Sequence, residues 1–226
     1  MSCIIIYMKK LFFILTIVFF SNLSEAYSQC SDIFFSPEID IKYSYGKLKY
    51  DYSKDKEEIT KLANNTGILE KGIFALGLSS IDINFDIKTE NVTDFIDKNS
   101  FCVYPQKIII SIYFKNPTIY ISNQLKKESC EYNLVKRHEQ THIQINKAAL
   151  DYYLPLFYRG AEKIANNISP INVSALSDIN KASDQIAEQF NQKFYIIFNY
   201  VKQQILEEQQ KLDNQNNYQY ENKLCQ

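Results

Sequence analysis

Apolar and polar side chains alternate along the first half of the chain and fall into helical stripes along the second. Ile39, Ile41, Tyr43 and Tyr45 stand against polar neighbours, and Leu48, Tyr50 and Tyr52 continue the period beyond Gly46. A period of two puts successive side chains on opposite faces of a strand, so this stretch predicts a hairpin or two short strands. Ser53 is placed to cap a short charged helix from Lys54 to Ala63, which ends at Asn64-Asn65. Residues 67–80 carry three glycines without a period and predict no element. Alternation returns at Ile81, Ile83, Phe85 and Ile87. Three segments rich in β-branched and aromatic residues follow at 101–104, 108–114 and 118–122, with Asn116-Pro117 as a turn between the last two. These runs predict a small antiparallel or mixed sheet.

The period then changes. Cys130 opens a helix expected to reach about Tyr153; Pro155 and Gly160 are expected to interrupt it, and a short segment closes at Asn166-Asn167 and Pro170. From about residue 174 to 212, Leu176, Ile179, Ala182, Ile186, Phe190, Ile197, Val201, Ile205 and Leu212 recur at intervals of three and four, the mark of a long helix. Strict heptads are not sustained, so the stripe predicts packing on the domain ahead of a coiled coil. The tail from Asp213, rich in Asn, Gln and Tyr, is expected to be irregular until Cys225. The fold class predicted is therefore α+β, the sheet first, then a helix beginning at Cys130 and a long C-terminal helix.

Composition changes this picture little. Apolar residues make up 46% and charged residues 23% of 226, ordinary for one globular domain, and the formal charge of −1 leaves no basic surplus for nucleic acid. The N-terminus changes it more. Lys9-Lys10 precede an apolar run from Leu11 to Phe20, then Ser24-Glu25-Ala26, the pattern of a signal peptide cleaved after Ala26. Ten strongly apolar residues are too few to cross a bilayer comfortably. Residues 27–226 are then one exported domain, periplasmic or secreted, with no membrane span after cleavage. Cys3 leaves with the signal, and Cys30, Cys102, Cys130 and Cys225 read as two disulfides. Of the three pairings possible, Cys102 with Cys130 is preferred, because they bracket a strand pair and the start of the next helix. Cys30 with Cys225 would then join the ends.

The chemistry is concentrated in Arg137-His138-Glu139-Gln140-Thr141-His142, which holds both histidines of the chain. Helical residues four apart share a face, so two imidazoles can converge on one ion while Glu139 stands beside them. Zinc accepts neutral imidazole nitrogen, and a neighbouring carboxylate can take a proton from water that the ion polarises. The sequence thus predicts His138 and His142 as ligands of Zn2+ and Glu139 as general base. On a helical projection His142 lies about 40° from His138 and Glu139 about 100°, so the rings face the apolar side and Glu139 its rim.

The segment from 81 to 155, a third of the chain, resembles the predicted secreted zinc-dependent proteases of bacteria, within the broad zincin group. The similarity rests on an alternating strand, Cys102, two further strands, and Cys130-Glu131-Tyr132 leading into His138-Glu139-Gln140-Thr141-His142-Ile143. The resemblance implies the same two ligands and the same base, and a peptide or protein substrate. The chain departs from metzincins, because Ala148 stands where their third histidine would be. Gluzincins resembling thermolysin take a Glu from the following helix, and Glu162, twenty residues beyond His142, matches that interval and is the expected third ligand. The function expected is an exported zinc metallopeptidase. The alternative is a non-catalytic envelope or periplasmic interaction protein with a structural or vestigial motif helix.

Overall fold

The computed structural model describes Cys30, residues 35–64 and residues 74–225; the expected signal peptide lies outside the described residues. In chain order the elements are β1 (Glu38–Ser44), β2 (Lys49–Asp51), α1 (Lys56–Asn64), β3 (Gly77–Asp97), β4 (Ser100–Ile121), α2 (Cys130–Ala165) and β5 (Ile171–Val173). A 3-10 turn (Leu176–Asp178), α3 (Ile179–Leu212) and α4 (Gln215–Lys223) complete the chain. The fold is α+β, with one five-stranded sheet.

β4 is the spine of that sheet. β3 pairs antiparallel along nearly its whole length, while β5, β1 and β2 pair with successive parts of β4, β5 antiparallel and the other two parallel. The two parallel pairings rule out a wholly antiparallel sheet. They also separate β1 from β2: each pairs with β4, so of the hairpin or two short strands expected, the two short strands form.

The turn expected further along is absent. Asn116-Pro117 lies inside β4, where Asn116 takes a left-handed φ of 48° and the register with β3 shifts between Ser80 and Asp82. A β-bulge inserts unmatched residues and reverses which side chains face the core. The buried positions accordingly change from Ile108, Ile110, Ile112 and Phe114 to Ile119 and Ile121, even numbers to odd. The irregularity keeps one apolar face on one side of a 22-residue strand.

That face is covered by α2 and α3. Ile108, Ile110 and Ile112 share a core with Phe157 of α2 and Phe190, Phe194 and Phe198 of α3. The stripe on α3 runs through Phe194 and Phe198, and Ile197 turns toward α2. Pro155 does not break α2, which runs 36 residues to Ala165. An interior proline costs about 3 kcal/mol, whereas burying a Phe or Ile stabilises by about 1.5–3 kcal/mol each, so Phe157 and Ile164 beyond it hold the helix together. Gly160 belongs to the same contact: a Cβ there would stand 2.4 Å from Ile197 Cδ1. At α1 the cap is Asp55. Its carboxylate accepts from the Glu58 N–H at 2.8 Å and its own N–H donates to Glu58 Oε2 at 3.1 Å, a capping box; Ser53 is occupied with Asp51.

Two disulfides form, Cys30–Cys102 and Cys130–Cys225, compatible with an exported protein. This corrects the expected pairing. Without a turn at Asn116-Pro117, Cys102 lies near the start of β4 and Cys130 beyond its other end, with roughly 60 Å of strand between them at about 3.3 Å per residue. Among the described residues no helix is long and apolar enough to cross a membrane.

Gly160→Leu is expected to lower stability by about 1–3 kcal/mol, through overpacking where α2 meets α3. Urea denaturation followed by far-UV circular dichroism measures it, and an unchanged midpoint would show that the two helices approach less closely.

Candidate metal centre

The site forms where α3 returns to the start of α2. The helices pack antiparallel, so the end of α3 reaches the motif helix 71 residues after His142. The buried stripe of α3 continues through Val201, Ile205 and Gln209, and one turn later comes Asp213 at the C-cap, whose N–H donates to the Gln209 carbonyl at 3.2 Å. Asn214 then caps α4 by accepting from the Asn217 N–H at 2.9 Å. This two-residue joint lays α4 across the histidines, and Cys225 beyond it is bonded to Cys130, the first residue of α2.

His138 Nε2 and His142 Nε2 stand 3.1 Å apart, and Asp213 Oδ1 is 3.1 Å from each. Both rings are buried. Their outer nitrogens define the tautomer. His138 Nδ1 donates to Glu221 Oε2 at 3.0 Å. His142 Nδ1 faces Gln209 Oε1, and that amide is oriented by its own Nε2 donating to the His142 carbonyl at 3.1 Å. With acceptors outside, each neutral ring carries its proton on Nδ1 and turns a bare Nε2 inward. Two nitrogen lone pairs and a carboxylate oxygen therefore meet at one point. Only a cation or added protons can reconcile them.

The set fits a small divalent cation. Ligands held tetrahedrally at about 2.0–2.1 Å are about 3.3 Å from one another, a few tenths of an ångström more than the 3.1 Å observed. Among the described residues, His138, His142 and Asp213 form the one group of three such side chains close enough to hold a metal ion. Tyr218 of α4 donates to Asp213 Oδ1 at 2.6 Å and stacks its ring on His138, with centroids 5.3 Å apart.

The charges respond to this crowding. Burial opposes protonation of both rings, but the hydrogen bond to Asp213 and the charge of Glu139 outweigh it and raise both imidazoles above their ordinary value. Burial also acts against the Asp213 carboxylate, yet its bonds to the two histidines hold its pKa well below the usual range. Glu139 is the opposite case. Burial raises its pKa, and the neighbouring rings offset this only in part.

Glu139 is not at an exposed rim. It is buried between α2 and the first residues of β3, where Ser79 Oγ donates to its carbonyl at 2.6 Å. A Cβ on Gly77 would lie 2.7 Å from Glu139 Oε1 and 2.6 Å from Val135 Cγ1. Gly77 is thus the residue that leaves room for the carboxylate, within a stretch that has no sequence period. A surface cavity of about 350 Å³ lined by Tyr50, Arg137, Gln140 and Gln144 lies on the other side of α2 and contains neither histidine.

Of the residues singled out from sequence, His138, His142 and Glu139 come together. Glu162 does not join them. It is exposed on α2 itself, twenty residues past His142, roughly 30 Å away at about 1.5 Å per residue. The expected break at Pro155, needed to fold it back, does not occur. Asp213 takes the third position, supported by Gln209, Tyr218 and Glu221. The signal for Gln209 and Asp213 was present: polar residues continue the fourfold steps Val201, Ile205 into positions an apolar stripe should fill.

No family model, curated protein or solved structure matches this chain. The resemblance to zincins therefore rests on the sequence features alone.

Asp213→Ala is expected to weaken zinc binding by about 100-fold or more, and Glu162→Ala to leave it unchanged; competition with a chromophoric chelator measures both. Equal losses in the two variants would remove Asp213 from the site. A metal ion taken up here would also have to displace protons from imidazoles whose pKa is raised above 6.5. In the metal-free chain the stability gained from those protons is complete below pH 6.5 and lost as pH rises through the raised values. Zinc affinity runs the other way, falling as pH drops through the same range, which calorimetry in buffers of different ionisation enthalpy detects as proton release. A flat affinity from pH 8 down to about pH 5 would contradict this.

Proposed function

We propose that the chain is an exported zinc-dependent peptidase. The observation that carries this reading is the ligand set. His138, His142 and Asp213 supply three donors, and Glu139 of the same helix as the histidines is a buried carboxylate whose charge acts on both rings. Structural zinc sites use four protein ligands, whereas catalytic ones use three and leave a position for water or substrate. Peptide as the substrate class comes from the resemblance of the motif.

His138, His142 and Asp213 would hold the zinc, which when bound would lower the pKa of a water molecule and polarise the scissile carbonyl. The residues do the rest. The raised pKa of Glu139 suits a group that takes a proton from water and returns it to the leaving amine. Gln209 and Glu221 hold the rings in the tautomer that presents Nε2. Asp213 would lower the net charge of the centre, and the Tyr218 hydroxyl donates to its carboxylate.

A second reading, a non-catalytic exported protein with a structural metal, is favoured by the burial of both rings beneath α4. One variant separates the two. Glu139→Gln is expected to retain zinc, measured by plasma emission spectroscopy, and to lose about 100-fold or more of the hydrolysis of a mixed peptide library. The assay is run as purified and after treatment with dithiothreitol. Unchanged hydrolysis in the variant, or none in the wild type under both conditions, would overturn the enzymatic reading.

A further inference from the structure

α4 is an unusual cover. It is nine residues long, buries none of its side chains, and is held by few attachments. Glu221 accepts from His138 at 3.0 Å, Tyr218 stacks on the same ring and bonds to Asp213, and Cys225 is joined to Cys130. Helices this short are unstable alone, so these contacts hold it in place. The ligands do not depend on α4. His138 and His142 belong to α2, and Asp213 is the C-cap of α3, ahead of the Asn214 joint.

The two disulfides differ in the same sense. Cys30 is 7% exposed and Cys102 0%, whereas Cys130 is exposed and Cys225 half-buried. Thiol–disulfide exchange needs access of a thiolate to sulfur, so one bridge is open to attack and the other is shielded. The accessible one bolts α4 over the rings.

We propose that α4 is a disulfide-bolted cover on the metal centre, released when a dithiol reduces Cys130–Cys225. One thiolate of the dithiol attacks a sulfur of the bridge, forming a mixed disulfide and expelling the other cysteine as thiolate. The second thiol of the dithiol then closes on the mixed disulfide. The dithiol ends as a disulfide, and Cys130 and Cys225 end as two thiols. With the bolt gone, α4 swings on Asn214 and exposes the face of the centre that Tyr218 and Glu221 occupy. The centre is latent in oxidising surroundings and opens where an exported dithiol is present. This rests on the metal reading above and not on the identity of the substrate.

The test uses the mature chain loaded with cobalt(II), whose visible spectrum reports a change in its ligands, and acetohydroxamate as a small chelating probe. The oxidised wild type is compared with wild type reduced by limiting dithiothreitol and with Cys130→Ser/Cys225→Ser, thiol mapping confirming that Cys30–Cys102 stays intact. If the cover is mostly closed when bolted, apparent probe affinity is reduced by the open fraction, and release is expected to raise it by about tenfold or more with cobalt retained. The reduced wild type decides the matter if the double variant fails to fold. Cobalt bound with equal probe affinity in all forms would overturn the cover and leave the metal reading standing. Loss of cobalt on reduction would also overturn it, because α4 would then be part of the ligand shell. Failure of the oxidised chain to take up cobalt would overturn the metal reading and the cover with it.

Discussion

Three electron-rich atoms, two imidazole nitrogens and one carboxylate oxygen, are held 3.1 Å from one another beneath the surface. Left alone they repel, and burying polar groups without partners costs several kcal/mol. The chain nevertheless surrounds them with groups that enforce the arrangement. Gln209 and Glu221 take the outer ring protons, Tyr218 bonds to the carboxylate, and a disulfide closes the segment that carries two of these partners. Without a cation the structure can relieve the crowding only by protonating the rings, the direction in which both pKa values move.

The rest of the fold serves to bring that point together. A 22-residue strand carries an apolar face long enough for a 36-residue helix and a 34-residue helix to lie on it side by side. Their antiparallel packing, through Gly160, Phe157, Phe194 and Phe198, sets where the end of α3 meets the motif. Asp213 is therefore positioned by an aromatic core far from it along the helix. Gly77, at the start of β3, completes the other side by making room for Glu139.

Much of this was legible in the chain, and the failures have physical causes. Alternation and helical stripes located the strands and the long helices, and the spacing of the histidines located the pair on α2 whose rings converge. Local signals misled where tertiary packing overrode them. Asn116-Pro117 reads as a turn but is a bulge that preserves the buried face, and Pro155 reads as a break but is carried by the burial of Phe157 and Ile164. Those two errors produced two more. A turn in β4 would have brought Cys102 near Cys130, and a break in α2 would have let Glu162 fold back toward the histidines. Asp213 was hidden for a different reason: its position beside the histidines depends on how two helices pack, which no local pattern encodes. Gln209 in an apolar stripe was the one trace it left.

We propose that two imidazoles and a carboxylate, and no thiolate, hold a zinc ion. X-ray absorption at the zinc edge of the metal-loaded chain tests it most directly. One equivalent of zinc is expected in a nitrogen and oxygen shell at about 2.0–2.1 Å, with the outer scattering of two imidazole rings. A sulfur shell at about 2.3 Å, or a signal from no more than one ring, would contradict it.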